Sequence, residues 1–101
     1  MWTRDESDPI WTATLTAAAP TTEPLVVIFL RAATIQVDGA FGGGTVVVSL
    51  GNTVARQFGV ETLRYPDFAP LTPGLPARYL SVAVQDATED TALTVTVAGA
   101  R

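Results

Sequence analysis

The apolar residues of this 101-residue chain fall in short runs, and in several of them every second side chain is apolar. From Ile10 to Ala17, Trp, Ala and Leu alternate with threonine, and from Ala92 to Val97, Leu and Val alternate with threonine. Alternation with a period of two predicts a half-buried β-strand, because successive side chains of a strand point to opposite faces. The chain is therefore predicted to fold from strands and not from helices.

Four further segments between these two runs have strand character. The continuous apolar run Leu25 to Leu30 predicts a strand buried on both faces, since it is too short for a helix and partly β-branched. The others are Ala32 to Val37, Thr45 to Leu50 and Arg78 to Gln85. Together they predict an all-β fold, a small β-sandwich or jelly roll of six to eight antiparallel strands.

Two connections have strong turn signals. Asp38 to Gly44, DGAFGGG, contains Asp-Gly and a glycine run that permits positive φ, so Thr34 to Leu50 is predicted to form a hairpin. The acidic turn DATEDT predicts a second hairpin between the last two strands.

The middle of the chain is less regular. Thr53 to Leu63 is predicted to form a strand pair, although Gly59 interrupts it. Tyr65 to Pro76 holds four prolines, which remove backbone donors, and is predicted to be a long ordered loop without a ladder of its own. In that loop Phe68, Leu71 and Leu75 are expected to cap the core.

Domain organisation follows from length and composition. Residues 1–9, which are polar and acidic, predict a flexible N-terminal arm, and residues 10–101 a single β domain. Charged residues make up only 16% of the chain, below the roughly 25% typical of soluble domains. A chain with so few charges is expected to cover part of its surface with neighbouring subunits.

Several function classes are disfavoured by missing residue types. The chain has no cysteine and no histidine, which removes thiolate metal sites and the usual general base, so we expect no enzyme and no cofactor or metal. It has no lysine or basic run and a net charge of −4, which argues against nucleic acid as a partner. No apolar run could cross a membrane and no signal peptide is visible, so synthesis in the cytoplasm is expected.

Three other motifs are better explained by local structure than by a binding or catalytic function. The FGGG run at Phe41 to Gly44 is followed by a strand, whereas a phosphate loop precedes a helix and often contains lysine. The acidic residues near the C-terminus could hold Ca²⁺ but are better interpreted as a solvated turn; they are Asp86, Glu89 and Asp90. Ser49 and Ser81 have no histidine to activate them.

The candidate partner contacts are aromatic. They are Trp2, Trp11, Phe68 and Tyr79. Trp11 is expected in the core or at its rim. Trp2 either anchors the arm in a pocket of a neighbouring subunit or folds back onto its own domain.

Four segments carry a family resemblance. The segment Gln36 to Val48, QVDGAFGGGTVVV, resembles the strand, glycine turn and strand of a family of small tailed-phage virion proteins. The opening strand WTATLTAAAP and the closing segments Arg78 to Leu80 and Leu93 to Thr96 are similar too. The family's Gly-Ser-Asn-Asp-Gly and Trp are replaced here by SLGNTVARQFG, so that half of the motif is degraded.

The resemblance implies a capsid decoration, or cement, protein that stabilises the head by binding the major capsid protein. It further implies a homotrimer on the virion's capsid surface, made in the host cytoplasm. A tail, neck or head-fibre virion component is one alternative. Another is a carbohydrate-binding β-sandwich module that stacks sugars on exposed aromatic rings; its platform would be Trp2, Tyr65, Phe68 and Tyr79.

Overall fold

The computed structural model describes residues 2–4, 9–71 and 77–100, and in these ranges it contains strands and no helix. None of the described residues therefore forms a helix long and apolar enough to span a membrane. The all-β prediction is confirmed. The strands are β1 (Thr3–Arg4), β2 (Ile10–Thr16), β3 (Leu25–Val26), β4 (Ala32–Ala40), β5 (Thr45–Gly51), β6 (Phe58–Leu63), β7 (Asp67–Pro70), β8 (Tyr79–Gln85) and β9 (Ala92–Ala100).

The strands form two antiparallel sheets. The first sheet has the order β1-β2-β9-β4-β7 and the second sheet the order β3-β8-β5-β6. Apart from β1, each sheet takes four strands, and the chain changes sheet after β2, β3, β4, β6, β7 and β8. This is the strand order of a jelly roll, one of the two architectures that the sequence predicts.

The core lies between the sheets and consists of every second residue of the long strands. In β2 the inward residues are Trp11, Ala13 and Leu15, and Trp11 is only 6% exposed, as predicted. Burying one such valine or leucine side chain contributes about 1.5–3 kcal/mol. The fully buried side chains include Leu15, Ile35, Val37, Val46, Val48, Leu80, Val82, Leu93, Val95 and Val97.

The two predicted hairpins are wrong. β4 pairs with β9 and β7, whereas β5 pairs with β8 and β6, so Asp38 to Gly44 contains a crossing between sheets. β8 and β9 likewise belong to different sheets. Alternation fixes which face of a strand is buried but not which strand lies beside it. The predicted positive φ is confirmed at Gly39, Gly42 and Gly43.

The connection between β4 and β5 is tied to the one between β8 and β9 by threonine hydroxyls. Thr91 is buried, and its Oγ1 donates to the carbonyl oxygen of Phe41 at 2.9 Å and accepts from the amide of Thr88 at 2.9 Å. The hydroxyl of Thr88 donates to the carbonyl oxygen of Gly42 at 3.0 Å. These bonds satisfy backbone groups at one end of the sandwich, where a crossing loop leaves them without a ladder.

The apolar run Leu25 to Leu30 is mostly not a strand. Only Leu25 and Val26 pair with β8; the chain then turns, and Ile28 and Phe29 are exposed. Val27 and Leu30 still point into the core, and the Leu30 amide donates to the Val27 carbonyl at 3.0 Å. The prediction of a strand buried on both faces is therefore wrong, because the strand ends at Val26 and Val26 itself is 49% exposed.

The predicted strand pair in Thr53 to Leu63 is a loop followed by one strand, β6. The register between β5 and β6 shifts between Val48 and Ser49, which is a β-bulge. Gly59 pairs with Ser49 and Glu61 with Val48, so Val60 is the extra residue. The interruption at Gly59 thus bends one strand instead of separating two.

The proline-rich loop does contain a ladder. Residues 67–70 form β7, which pairs with β4 at the edge of the first sheet, where Pro70 is tolerated. Leu71 is buried, as predicted, whereas Phe68 is exposed on the outer face and does not cap the core. Leu75 lies outside the described residues.

The N-terminal arm predicted for residues 1–9 contains β1. Thr3 and Arg4 pair with Thr12 and Trp11 of β2 and add a fifth strand to the first sheet. Residues 5–8 lie outside the described residues.

Candidate docking surfaces

The outer face of the first sheet is almost free of charge. Its outward positions in β2, β9, β4 and β7 are register partners, so they form continuous rows across the sheet. The charged exception is Asp38, whose carboxylate accepts a hydrogen bond from Gln36 Nε2 at 3.0 Å. Seven threonines lie on this face: Thr3, Thr12, Thr14, Thr16, Thr34, Thr94 and Thr96.

The outer face of the second sheet has no charged side chain in its strands. In β8 and β5 the outward residues pair across the ladder, as Ser49 does with Ser81. The outward positions are Val26, Thr45, Val47, Ser49, Gly51, Gly59, Thr62, Tyr79, Ser81, Ala83 and Gln85. Apart from Asp38, the described residues of both flat faces are thus uncharged, and the other described charges lie on loops and edge strands. The central part of protein interfaces is similarly depleted of charged residues.

Trp2 and Trp11 lie at one lateral opening of the sandwich. The indole Nε1 of Trp2 donates to the carbonyl oxygen of Glu23 at 2.8 Å, and Trp2 packs against the core of its own domain. Trp11 contacts Phe29 edge to face, with ring centroids 5.8 Å apart, and the Arg4 guanidinium lies 5.5 Å from its ring. In the single chain, Trp2 therefore folds back onto its own domain, which is one of the two predicted alternatives. A contact of Trp2 with a neighbouring subunit stays a prediction.

The other two candidate contacts lie on opposite faces. Phe68 is 59% exposed on the outer face of the first sheet, beside Gln36 of β4. Tyr79 is half-buried on the outer face of the second sheet, and the Arg78 guanidinium lies 5.5 Å from its ring. The four candidate side chains do not converge on one site, and three rings of the predicted sugar-stacking platform, Trp2, Phe68 and Tyr79, lie on different sides of the domain.

The sequence did not single out a further apolar surface at β6, the edge strand of the second sheet. We call it the β6 patch: Val54, Arg56, Phe58, Val60 and Glu61. Phe58 is 62% exposed although it is in register with Leu50, which is buried. An open groove of about 440 Å³ lies beside it, with Leu50 and Ala77 as buried lining residues.

The acidic residues Asp86, Glu89 and Asp90 lie in the connection between β8 and β9. Asp86 has φ of 58°, a left-handed conformation that aspartate tolerates in turns. Among the described residues, no three acidic side chains come together as metal ligands. The geometry is that of a solvated turn.

No protein-family model matches this chain, and a search of curated proteins finds no significant match.

Proposed function

We propose that the chain is a non-enzymatic structural protein of a tailed-phage virion, a capsid decoration or cement protein that stabilises the head by binding the major capsid protein. The proposal places it on the capsid surface as a homo-oligomer after synthesis in the host cytoplasm. The observation that supports it best is the neutral outer face of the first sheet, on which Asp38 is the charged exception.

A neutral, hydroxyl-rich sheet face suits docking onto a protein shell. Burying an unpaired charge is costly, whereas a threonine hydroxyl can exchange a bond to water for one to the partner. Threonine also has little side-chain entropy to lose, since it is branched at Cβ. The face can therefore be covered with only the Asp38 carboxylate to be paired.

The size of this face favours binding in many copies. Strands spaced about 4.8 Å apart and rising about 3.3 Å per residue give a face of roughly 20 by 23 Å. A stable interface buries about 800 Å² per partner, so one such face binds weakly. Many copies on one shell, joined to each other as well as to the shell, gain avidity. A trimer, which the resemblance implies, would provide such links.

The first testable prediction concerns head binding. Glutamate in place of Thr94, at the centre of the first sheet's outer face, should reduce the affinity for heads assembled without this protein by about tenfold or more, because a second carboxylate then lies directly opposite Asp38 and both are buried without a partner. Ala18→Glu is the matched control: Ala18 is exposed in a loop, and the change in net charge is the same. Cosedimentation with the heads gives both affinities.

The same experiment distinguishes a wrong function from a wrongly assigned docking face. If the wild-type protein does not bind heads, the decoration function is wrong. If Ser49→Glu on the second sheet abolishes binding and Thr94→Glu does not, the function stands and the docking face has been assigned to the wrong sheet.

A further inference from the structure

The exposed large apolar side chains of this domain lie at its edges. Among the described residues they are Val26, Ile28, Phe29, Val54, Phe58, Val60, Tyr65 and Phe68. The first three belong to the β3 edge of the second sheet and the next three to its β6 edge. Clustered exposed apolar side chains mark an interaction surface, since isolated soluble domains rarely leave them uncovered.

The β6 patch combines apolar side chains with a groove. Phe58 and Val60 line the groove together with the buried Leu50 and Ala77, and Val54 projects from the adjoining loop. The patch thus presents apolar side chains and also a recess that can receive them. A surface with both properties can be complementary to itself.

The β6 patch carries opposite charges at its two ends. Arg56 lies at one end, with its guanidinium 5.6 Å from the Phe58 ring, and Glu61 lies at the other end, where its carboxylate accepts a bond from the Thr62 amide at 3.3 Å. Within the part of the chain that the structure describes, neither side chain forms an ion pair. Four residues lie between them, of which the last three belong to β6, and in an extended chain the two positions are about 15 Å apart.

Two copies related by a two-fold axis perpendicular to β6 would match both the apolar centre of the patch and the opposite charges at its ends. This arrangement places Arg56 of each copy opposite Glu61 of the other and brings the apolar centres together.

The bulge in β6 determines which groups make the contact. Val60 interrupts the regular ladder with β5, and a bulge twists an edge strand away from further pairing. A continuous backbone ladder across two copies is therefore disfavoured. The side chains of the β6 patch make the contact instead.

We propose that the β6 patch is the contact between two copies of this chain, related by a two-fold axis perpendicular to β6. The proposal concerns the protein in solution and does not depend on its being a decoration protein. A trimer on a head would use other surfaces, and the β6 contact would then join neighbouring trimers. A contact along one edge strand is expected to bury less than the roughly 800 Å² per partner of a standard interface, so the association should be weak.

Sedimentation velocity of the full chain between about 1 and 200 µM tests this contact, given that small interfaces bind weakly. The wild type should form dimers, or an even-numbered assembly of them, as concentration rises. Arg56→Glu and Glu61→Arg should each weaken association about tenfold or more, because each brings like charges together at two symmetry-related positions. The double variant Arg56→Glu/Glu61→Arg should restore association to within about threefold of the wild type, since both pairs are complementary again.

The control is Glu89→Arg, which makes the same charge change as Glu61→Arg in a loop at the end of the sandwich. Thermal unfolding should be unchanged in all four variants, because these side chains are exposed or half-buried. A wild type that stays monomeric throughout the range overturns the proposal. So does a double variant that associates no better than the single ones, or a trimer whose stability is indifferent to all the charge changes.

Discussion

Replacement of Gly39 by alanine is expected to destabilise the fold by roughly 3 kcal/mol or more, which is a large part of the stability of a small domain. Gly39 has φ of 112°, a conformation that alanine adopts only with strain, and an added Cβ would overlap the carbonyl oxygen of Ala92. Because β4 and β9 are neighbours in the centre of the first sheet, that carbonyl cannot move without disturbing the ladder.

Urea denaturation of Gly39→Ala and Gly43→Ala measures this effect. Gly43 also has positive φ, at 84°, but nothing lies within 4 Å of a Cβ built there. Gly43→Ala therefore carries strain without overlap, and it should cost only about 1 kcal/mol. Equal losses in the two variants would show that the close approach of β4 to β9 is not what requires glycine at position 39.

Replacement of Thr91 by valine is expected to cost about 2–3 kcal/mol at nearly unchanged volume. Valine removes the hydroxyl that donates to the Phe41 carbonyl and accepts from the Thr88 amide, and the side chain of Thr91 is buried. The Thr88 amide then loses its partner at a site that water does not readily reach, and the Phe41 carbonyl keeps only its bond from the Gly44 amide. The connection between β4 and β5 and the one between β8 and β9 also lose a hydrogen bond that joins them.

Thr94→Val in the neighbouring strand is the matched control, since Thr94 is exposed and valine suits a strand equally well. Its free energy of unfolding should stay within about 0.5 kcal/mol of the wild type. Thr91→Ser, which keeps the hydroxyl, should lose less than Thr91→Val. If Thr91→Val is as stable as the wild type, the buried hydroxyl does not tie the connections together.

The strands that could be predicted from the sequence are the ones with strict alternation. In β2 and β9, Leu15 and Val95 point inward and Thr14 and Thr94 outward, and in each case the residue type alone indicates the face. Pairing could not be predicted in the same way. A glycine-rich turn such as DGAFGGG closes a hairpin or crosses between sheets equally well, and the choice depends on strands far away in the sequence.

The candidate surfaces differ in how far the sequence reveals them. The neutral outer face of the first sheet follows from threonine at alternate positions of β2 and β9, once both are placed in one sheet. The β6 patch does not, because Phe58 is in register with the buried Leu50 and is nevertheless exposed, which no local pattern indicates. Trp2 is similar: its contact with Glu23 joins two segments whose proximity no local pattern indicates.

The proposed decoration function is tested most directly by electron cryomicroscopy of phage heads assembled without this protein and then incubated with the purified chain. We predict ordered density for a jelly roll at symmetry-related positions on the outer surface of the head, with the neutral face of the first sheet against the major capsid protein. Heads that remain bare, or density confined to the tail or neck, would contradict the proposal.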